Sequence, residues 1–113
     1  MAENDPVQRD IVIPKGSTFT LAIHRNADLT DATITGKGRA SHGATDVVFT
    51  WASGDFAKAV AGNHTDITLT MTAVATGALT APSYGVYDIE TSEAGVVERI
   101  AEGTFYVTPE ANR

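Results

Sequence analysis

The residues best equipped for chemistry cluster near the C-terminal end, in "YGVYDIETSEAGVVERIAEGTFYVTPEANR". Asp88, Glu90, Glu93, Glu98, Arg99 and Glu102 could form an acid–base cluster. If the stretch is extended, Asp88 and Glu90 share one face of a strand. Glu98 and Glu102 share one face of the next, unless a bulge intervenes. Two carboxylates flanking a cleft can divide the work of a glycosidase. That division needs one of them to hold a proton, whereas Arg99 beside them favours the ionised form of both. The cluster therefore reads as the solvated face of a hairpin, with cross-strand charge pairs worth a few tenths of a kcal/mol up to about 1.

Other chemistry is thinly represented. The three histidines are His24, His42 and His64. None stands at i, i+4 to another, and none has a local carboxylate motif, so they read as strand-end and turn residues. "NADLTD" (Asn26, Asp28, Asp31) lacks the alternating ligands, central glycine and distant glutamate of a calcium loop. Turns begun by side chains bonding their own backbone explain it better. "TGKGRAS" lacks the spaced glycines and the Gly-Lys-Ser/Thr ending of a phosphate loop. No Gly-x-Ser-x-Gly elbow is present. Phe49 and Trp51 alternate with threonine as core residues do, and exposed aromatics are too few for a sugar-stacking platform. No catalytic, cofactor-binding or metal-ligating residue is expected.

Composition narrows the classes further. A chain of 113 residues suits one domain with a modest core. Its formal charge of −6 disfavours nucleic acid, whose phosphates need Lys and Arg. It has no cysteine, which excludes disulfides, thiolate catalysis and cysteine-held zinc. No apolar run is long enough to span a bilayer. The start, "MAENDPVQRD", is polar and acidic, unlike a signal peptide, so a cytoplasmic site of synthesis is expected.

The elements that must position these residues are strands. "STFTLAIH" sets Phe19, Leu21 and Ile23 on one face; "DVVFTW" does the same with Val47, Phe49 and Trp51. "DITLTMT" alternates Ile67, Leu69 and Met71 with threonines. Such alternation marks strands half buried in an antiparallel sheet, with β-branched threonine on the wet side. "RDIVIPKG" offers Ile11 and Ile13 before Pro14 and Gly16 stop it. "ATITGKGRA" has a small inner face (Ala32, Ile34, Gly36, Gly38, Ala40), so another element packs very close or the strand kinks. In "GDFAKAVAGN", Asp55 could cap a helical turn burying Phe56 and Val60. "ATGALTAPS" reads as a turn or 3₁₀ piece tucking in Leu79 before Pro82.

The final segments form a hairpin, Tyr84 to Thr91 and Val96 to Val107. "SEAG" reads as a type I turn closed by a left-handed glycine. Ile100 is out of phase with Phe105 and Val107, so one residue must be inserted, with Gly103 beside Ala101 the expected bulge. Strand spacing and turn residues together predict an all-β antiparallel sandwich, immunoglobulin-like or jelly-roll-like, of about seven strands. Residues 1–113 form one domain, with 1–9 and 109–113 as extended or partner-ordered tails.

Three stretches, "GSTFTLAIHRNADLTDATITGKGRA", "ITLTMTAVATGALTAPSYGVYDIET" and "GVVERIAEGTFYVTPEANR", carry a family resemblance. In this order they resemble small structural proteins of tailed-bacteriophage virions. They are similar to the N-terminal sandwich domain of phage upper baseplate proteins and to short proteins encoded near tail-fibre genes. The matching positions are Gly16, Thr18, Phe19, Asp28, Leu29, Thr30, Leu69, Thr72, Ala73, Tyr84, Tyr87, Asp88, Ile89, Glu90, Gly103, Val107, Pro109, Glu110 and Arg113. Ser83-Tyr84-Gly85 departs from the family's glycine-first order, and Asp31 stands where glycine is common.

The resemblance implies a non-enzymatic virion component of tail, baseplate or fibre attachment, assembled in the host cytoplasm. Its partners would be other virion proteins and copies of itself as a homo-oligomer, without nucleic acid, membrane or cofactor. A capsid decoration protein is the alternative within that class, and a carbohydrate-binding module the alternative outside it.

Overall fold

A computed structural model describes residues 7–41, 43 and 47–109. The strands are β1 (Val7–Gln8), β2 (Ile11–Pro14), β3 (Phe19–Arg25), β4 (Thr33–Arg39), β5 (Val47–Trp51), β6 (Phe56–Ala61), β7 (His64–Met71), β8 (Ser83–Glu93) and β9 (Val96–Thr108). A six-stranded sheet runs β1-β9-β8-β4-β5, with β2 also on β9; a three-stranded sheet runs β3-β7-β6. Their inner faces form the core. Phe19, Leu21, Ile23, Ile67, Leu69 and Met71 from the smaller sheet meet Ile13, Ile34, Trp51, Ile89, Phe105 and Val107 from the larger. The all-β sandwich ending in a hairpin is therefore present. It is not wholly antiparallel, because β1 and β2 run parallel to β9.

The two strands beyond the expected seven are β1 and β6. Residues 53–61 do not form a helix burying Phe56 and Val60. A 3₁₀ turn, Ser53–Asp55, leads into β6, which pairs with β7 throughout. Phe56 is buried, but Val60 is 38% exposed. A spacing of four places two residues on one face of a helix and of a strand alike, so the pair could not separate them. Asp55 does bond backbone, but backwards: its carboxylate accepts from Ala52 N at 3.0 Å.

Small inner residues on β4 reflect close packing. A Cβ at Gly36 would stand 2.6 Å from Trp51 Cε3, and one at Gly38 would stand 2.3 Å from Phe49 Cζ. Gly36 pairs with Trp51 and Gly38 with Phe49, so each ring lies over the glycine across from it. The register then slips at Gly38/Arg39, which inserts Val48 into β5. Val47 is consequently 39% exposed rather than core, and Val48 packs partly against the core instead.

The hairpin differs from expectation in two details. Its loop is the two residues Ala94 (φ 52°) and Gly95 (φ 83°), between the paired Glu93 and Val96. Two successive positive φ values are a type I′ turn, whose twist matches the flanking strands better than type I. The inserted residue is Ile100, because Ile89 pairs with Ala101 and Glu90 with Arg99. The bulge was required but lies at Ile100, not Gly103.

Gly103 has another role. A Cβ there would meet Arg9 O at 2.0 Å, so only glycine lets the N-terminal segment lie this close. The expected tail 1–9 is accordingly part of the sheet from Val7 onward. Val7 and Gln8 pair with Ala101 and Glu102, Arg9 N donates to Glu102 O at 2.9 Å, and Tyr87 Oη donates to Arg9 O at 2.6 Å. β9 is thereby covered on both sides and is not an edge. Residues 1–6 and 110–113, with Glu110 and Arg113, lie outside the described residues.

A one-turn α-helix, α1 (Ala73–Gly77), runs into "ATGALTAPS", and its Thr72 cap accepts from Ala75 N. Leu79 is partly buried against the core. Thr76, fully buried, accepts from Gly16 N and donates to Ser17 O, tying the turn after β2 to the helix.

Candidate functional site: the outer face of the larger sheet

The bulge at Ile100 decides where the hairpin charges point. Between β8 and β9, Asp88 faces Glu102 and Glu90 faces Arg99. Lys37 of β4 lies on the other side of Asp88. Asp88, Glu90, Arg99 and Glu102 therefore share the outer face. Glu98 does not share it with Glu102, because the inserted residue turns it over. Glu98 instead reaches Arg25 of β3, in the opposite sheet, at 3.3 Å. Arg25 is 4% exposed, so a buried cation links the two layers at this end.

On the outer face Arg99 is the hub. Its Nη1 donates to Glu102 Oε1 at 2.9 Å, and Nη2 lies 3.7 Å from Asp88 Oδ2. The hydrogen bond to Glu102, aided by Asp88 and Glu90, raises the guanidinium pKa. Gln8 Nε2 donates to the other Glu102 oxygen. A depression of about 140 Å³ is bordered by Lys37, Arg39, Asp88, Arg99 and Glu102. Carboxylates bridged by a guanidinium form a charge network; an acid–base dyad needs one carboxyl removed from cations. The mixture of signs likewise suits neither a phosphate nor a divalent metal.

Beside the charges the same face turns apolar. Tyr84 and Tyr106 pair across β8 and β9 with their rings stacked, centroids 4.5 Å apart. The neighbouring Tyr84 side chain raises the pKa of Tyr106. With Val12 and Val86 they line a groove of about 510 Å³. Tyr84 is 68% exposed and Val12 57%. A count of aromatics, too few for a stacking platform, does not reveal this pair. A signal was present: Tyr87 and Ile89 face the core, so the even residue Tyr84 must face out.

Two histidines are brought together. His24 and His64 stack with centroids 5.4 Å apart at the shared end of β3 and β7. His24 Nδ1 lies 2.7 Å from Asp66 Oδ1 and Nε2 lies 3.0 Å from Asn26 Oδ1; His64 Nδ1 shares that Asn26 oxygen at 3.0 Å. With oxygen acceptors at both ring nitrogens, His24 satisfies both only as imidazolium. Its pKa is raised, first by Asp66 and then by Asn26. His42 lies outside the described residues. Among the described residues no three His, Cys, Asp or Glu side chains are grouped to hold a metal. The loop after β3 is a side-chain-bonded turn, with Asp28 Oδ1 accepting from Thr30 N at 2.9 Å. Phe49 and Trp51 are buried in the core.

No known family model matches the chain, and no curated protein matches it significantly. Among the described residues, no helix is long and apolar enough to cross a membrane.

Proposed function

We propose that this protein is a non-enzymatic structural component of a tailed-phage virion. It sits at the tail, baseplate or fibre attachment and assembles as a symmetric oligomer. The family resemblance of the three sequence stretches supports this reading. So does the strand order, β2-β9-β8-β4-β5 against β3-β7-β6, which follows the immunoglobulin-type arrangement common among modular binding domains.

The observation that carries the proposal is the outer face of the larger sheet. An apolar strip of Val12, Tyr84 and Tyr106 lies beside a network built on Arg99. Tyr and Arg are the residues enriched where protein meets protein, and a rim of paired charges gives such contacts their register. The occupant is a neighbouring protein subunit of the particle, met after assembly begins in the host cytoplasm.

The test is incorporation. Tagged protein supplied during phage growth should co-purify with particles, and Tyr84→Ser should reduce its recovery without unfolding it. Free protein absent from particles would end the proposal. Copy number then separates a tail part from a capsid decoration protein, which coats the shell at much higher copy.

A carbohydrate-binding reading is favoured by one feature, the exposed ring of Tyr84, since a sugar can stack on such a face. Glycan-array binding that Tyr84→Ser abolishes would replace the virion reading with that one.

A further inference from the structure

We infer that the free edge of β6 is a strand-addition surface for a second copy of this chain, joining two three-stranded sheets into one of six. The inference rests on the oligomeric part of the reading above and deepens it by naming the contact. A sheet edge exposes unpaired N–H and C=O groups, and stable monomers blunt it. Among the described residues, three of the four sheet edges are blunted. β5 is bulged at Val48. The β1–β2 edge is interrupted after Gln8 and ends in Pro14. On β3, the Ala22 carbonyl accepts from Arg9 Nη1 at 2.9 Å.

β6 has none of these devices. Its six residues pair with β7 in unbroken register, without proline, and no described strand lies on its other side. Its outward side chains, Ala57, Ala59 and Ala61, add no bulk or charge. The single charge, Lys58, points inward, which on an edge strand usually deters pairing. Here its ammonium already donates to Leu29 O (2.9 Å), Thr30 O (3.1 Å) and Ala32 O (2.8 Å). A neighbouring strand would leave those bonds in place. Val60 is 38% exposed on the inward side of this edge, where a second strand would cover it.

The ladder also selects a register. Ala61 and His64 close a two-residue turn as a hydrogen-bonded pair, so alternation aims the N–H and C=O of Lys58 and Val60 at the free edge. An antiparallel pair about a two-fold axis must oppose residues of the same face. Of the registers that keep the two lysines apart, the one that pairs most of β6 sets Ala59 of one copy against Ala59 of the other. Lys58 then lies opposite Val60, and Ala57 opposite Ala61.

That axis makes the test self-controlling. Sedimentation equilibrium on the full chain should show a monomer–dimer equilibrium. Ala59→Glu and Ala59→Lys each oppose like charges at the axis and should weaken the dimer about fivefold. An equimolar mixture of the two should dimerise about tenfold more tightly than either alone, a recovery that a folding defect cannot produce. Wild-type protein that stays monomeric, or a mixture no tighter than its components, overturns the inference. Particle incorporation is scored separately: a dimer that never enters particles refutes the virion reading alone, and incorporation of a strictly monomeric protein refutes the β6 pairing alone.

Discussion

Gly38 lies directly beneath the ring of Phe49: a Cβ there would stand 2.3 to 2.8 Å from three of its ring carbons. The two residues are cross-strand partners, and the ring occupies the space a side chain on β4 would need. Gly38→Ala should force Phe49 off its position and destabilise the domain by about 1–3 kcal/mol. Gly54→Ala, where nothing lies within 4 Å, should change stability far less. Urea melts of the two variants check this, and equal midpoints would contradict the packing.

Leu69 is fully buried in the middle of β7, between Phe19–Met71 and Ile23–Ile67 contacts of the same ladder. Leu69→Ala should cost about 2–5 kcal/mol. Thr70 is exposed on the opposite face, and Thr70→Ala should cost much less. The comparison by chemical denaturation tests the facing of the whole strand.

Removing the N-terminal strand should expose a dependence of Tyr87 on Arg9. The Tyr87 hydroxyl is buried, which pushes its pKa up to about 12, and its acceptor is Arg9 O. A chain beginning at Asp10 should be less stable than one beginning at Val7, with about 1–3 kcal/mol from the stranded hydroxyl alone. Tyr87→Phe should recover part of that loss in the shorter chain and cost stability in the longer one. If Tyr87→Phe has the same effect in both, the hydroxyl is not held by Arg9.

His24 should make stability depend on pH with a definite sign. Its folded-state pKa is raised from 6.5, chiefly by the Asp66 hydrogen bond. Its contribution is therefore fully present below pH 6.5 and is lost as pH rises through the higher folded value. The urea midpoint of wild type relative to His24→Gln should be greatest under mildly acidic conditions and should fall toward alkaline pH. Asp66→Asn should flatten the dependence. NMR titration of the His24 ring in the two backgrounds gives an independent reading.

Two of the three strands of the smaller sheet, β3 and β7, were legible because their signal is local. Phe19-Leu21-Ile23 and Ile67-Leu69-Met71 alternate without interruption, and both face the core as the period of two demands. The need for an extra residue in β9 was legible for the same reason, since Ile100 and Phe105 differ in phase. The candidate site was less legible. Its acidic and basic residues were all visible, and the hairpin that carries them was too. Their grouping was not, because the site is a face, and a face is set by which strand lies beside which.

What the sequence determined by itself, then, is whatever rests on neighbours along the chain: the alternating strands, the turn residues and the all-β class. What only the tertiary structure decided rests on contacts between distant segments. Ile100 rather than Gly103 became the bulge because Gly103 was needed where Arg9 crosses, 94 residues earlier in the chain. That choice sent Glu98 to Arg25 and left Arg99 with Asp88 and Glu102. β6 became a strand because β7 offered a ladder to a segment whose own spacing fits either period. Side-chain periodicity is a property of one segment, whereas register, edges and faces belong to pairs of segments, and the lowest free energy chooses them only when all the pairs form together.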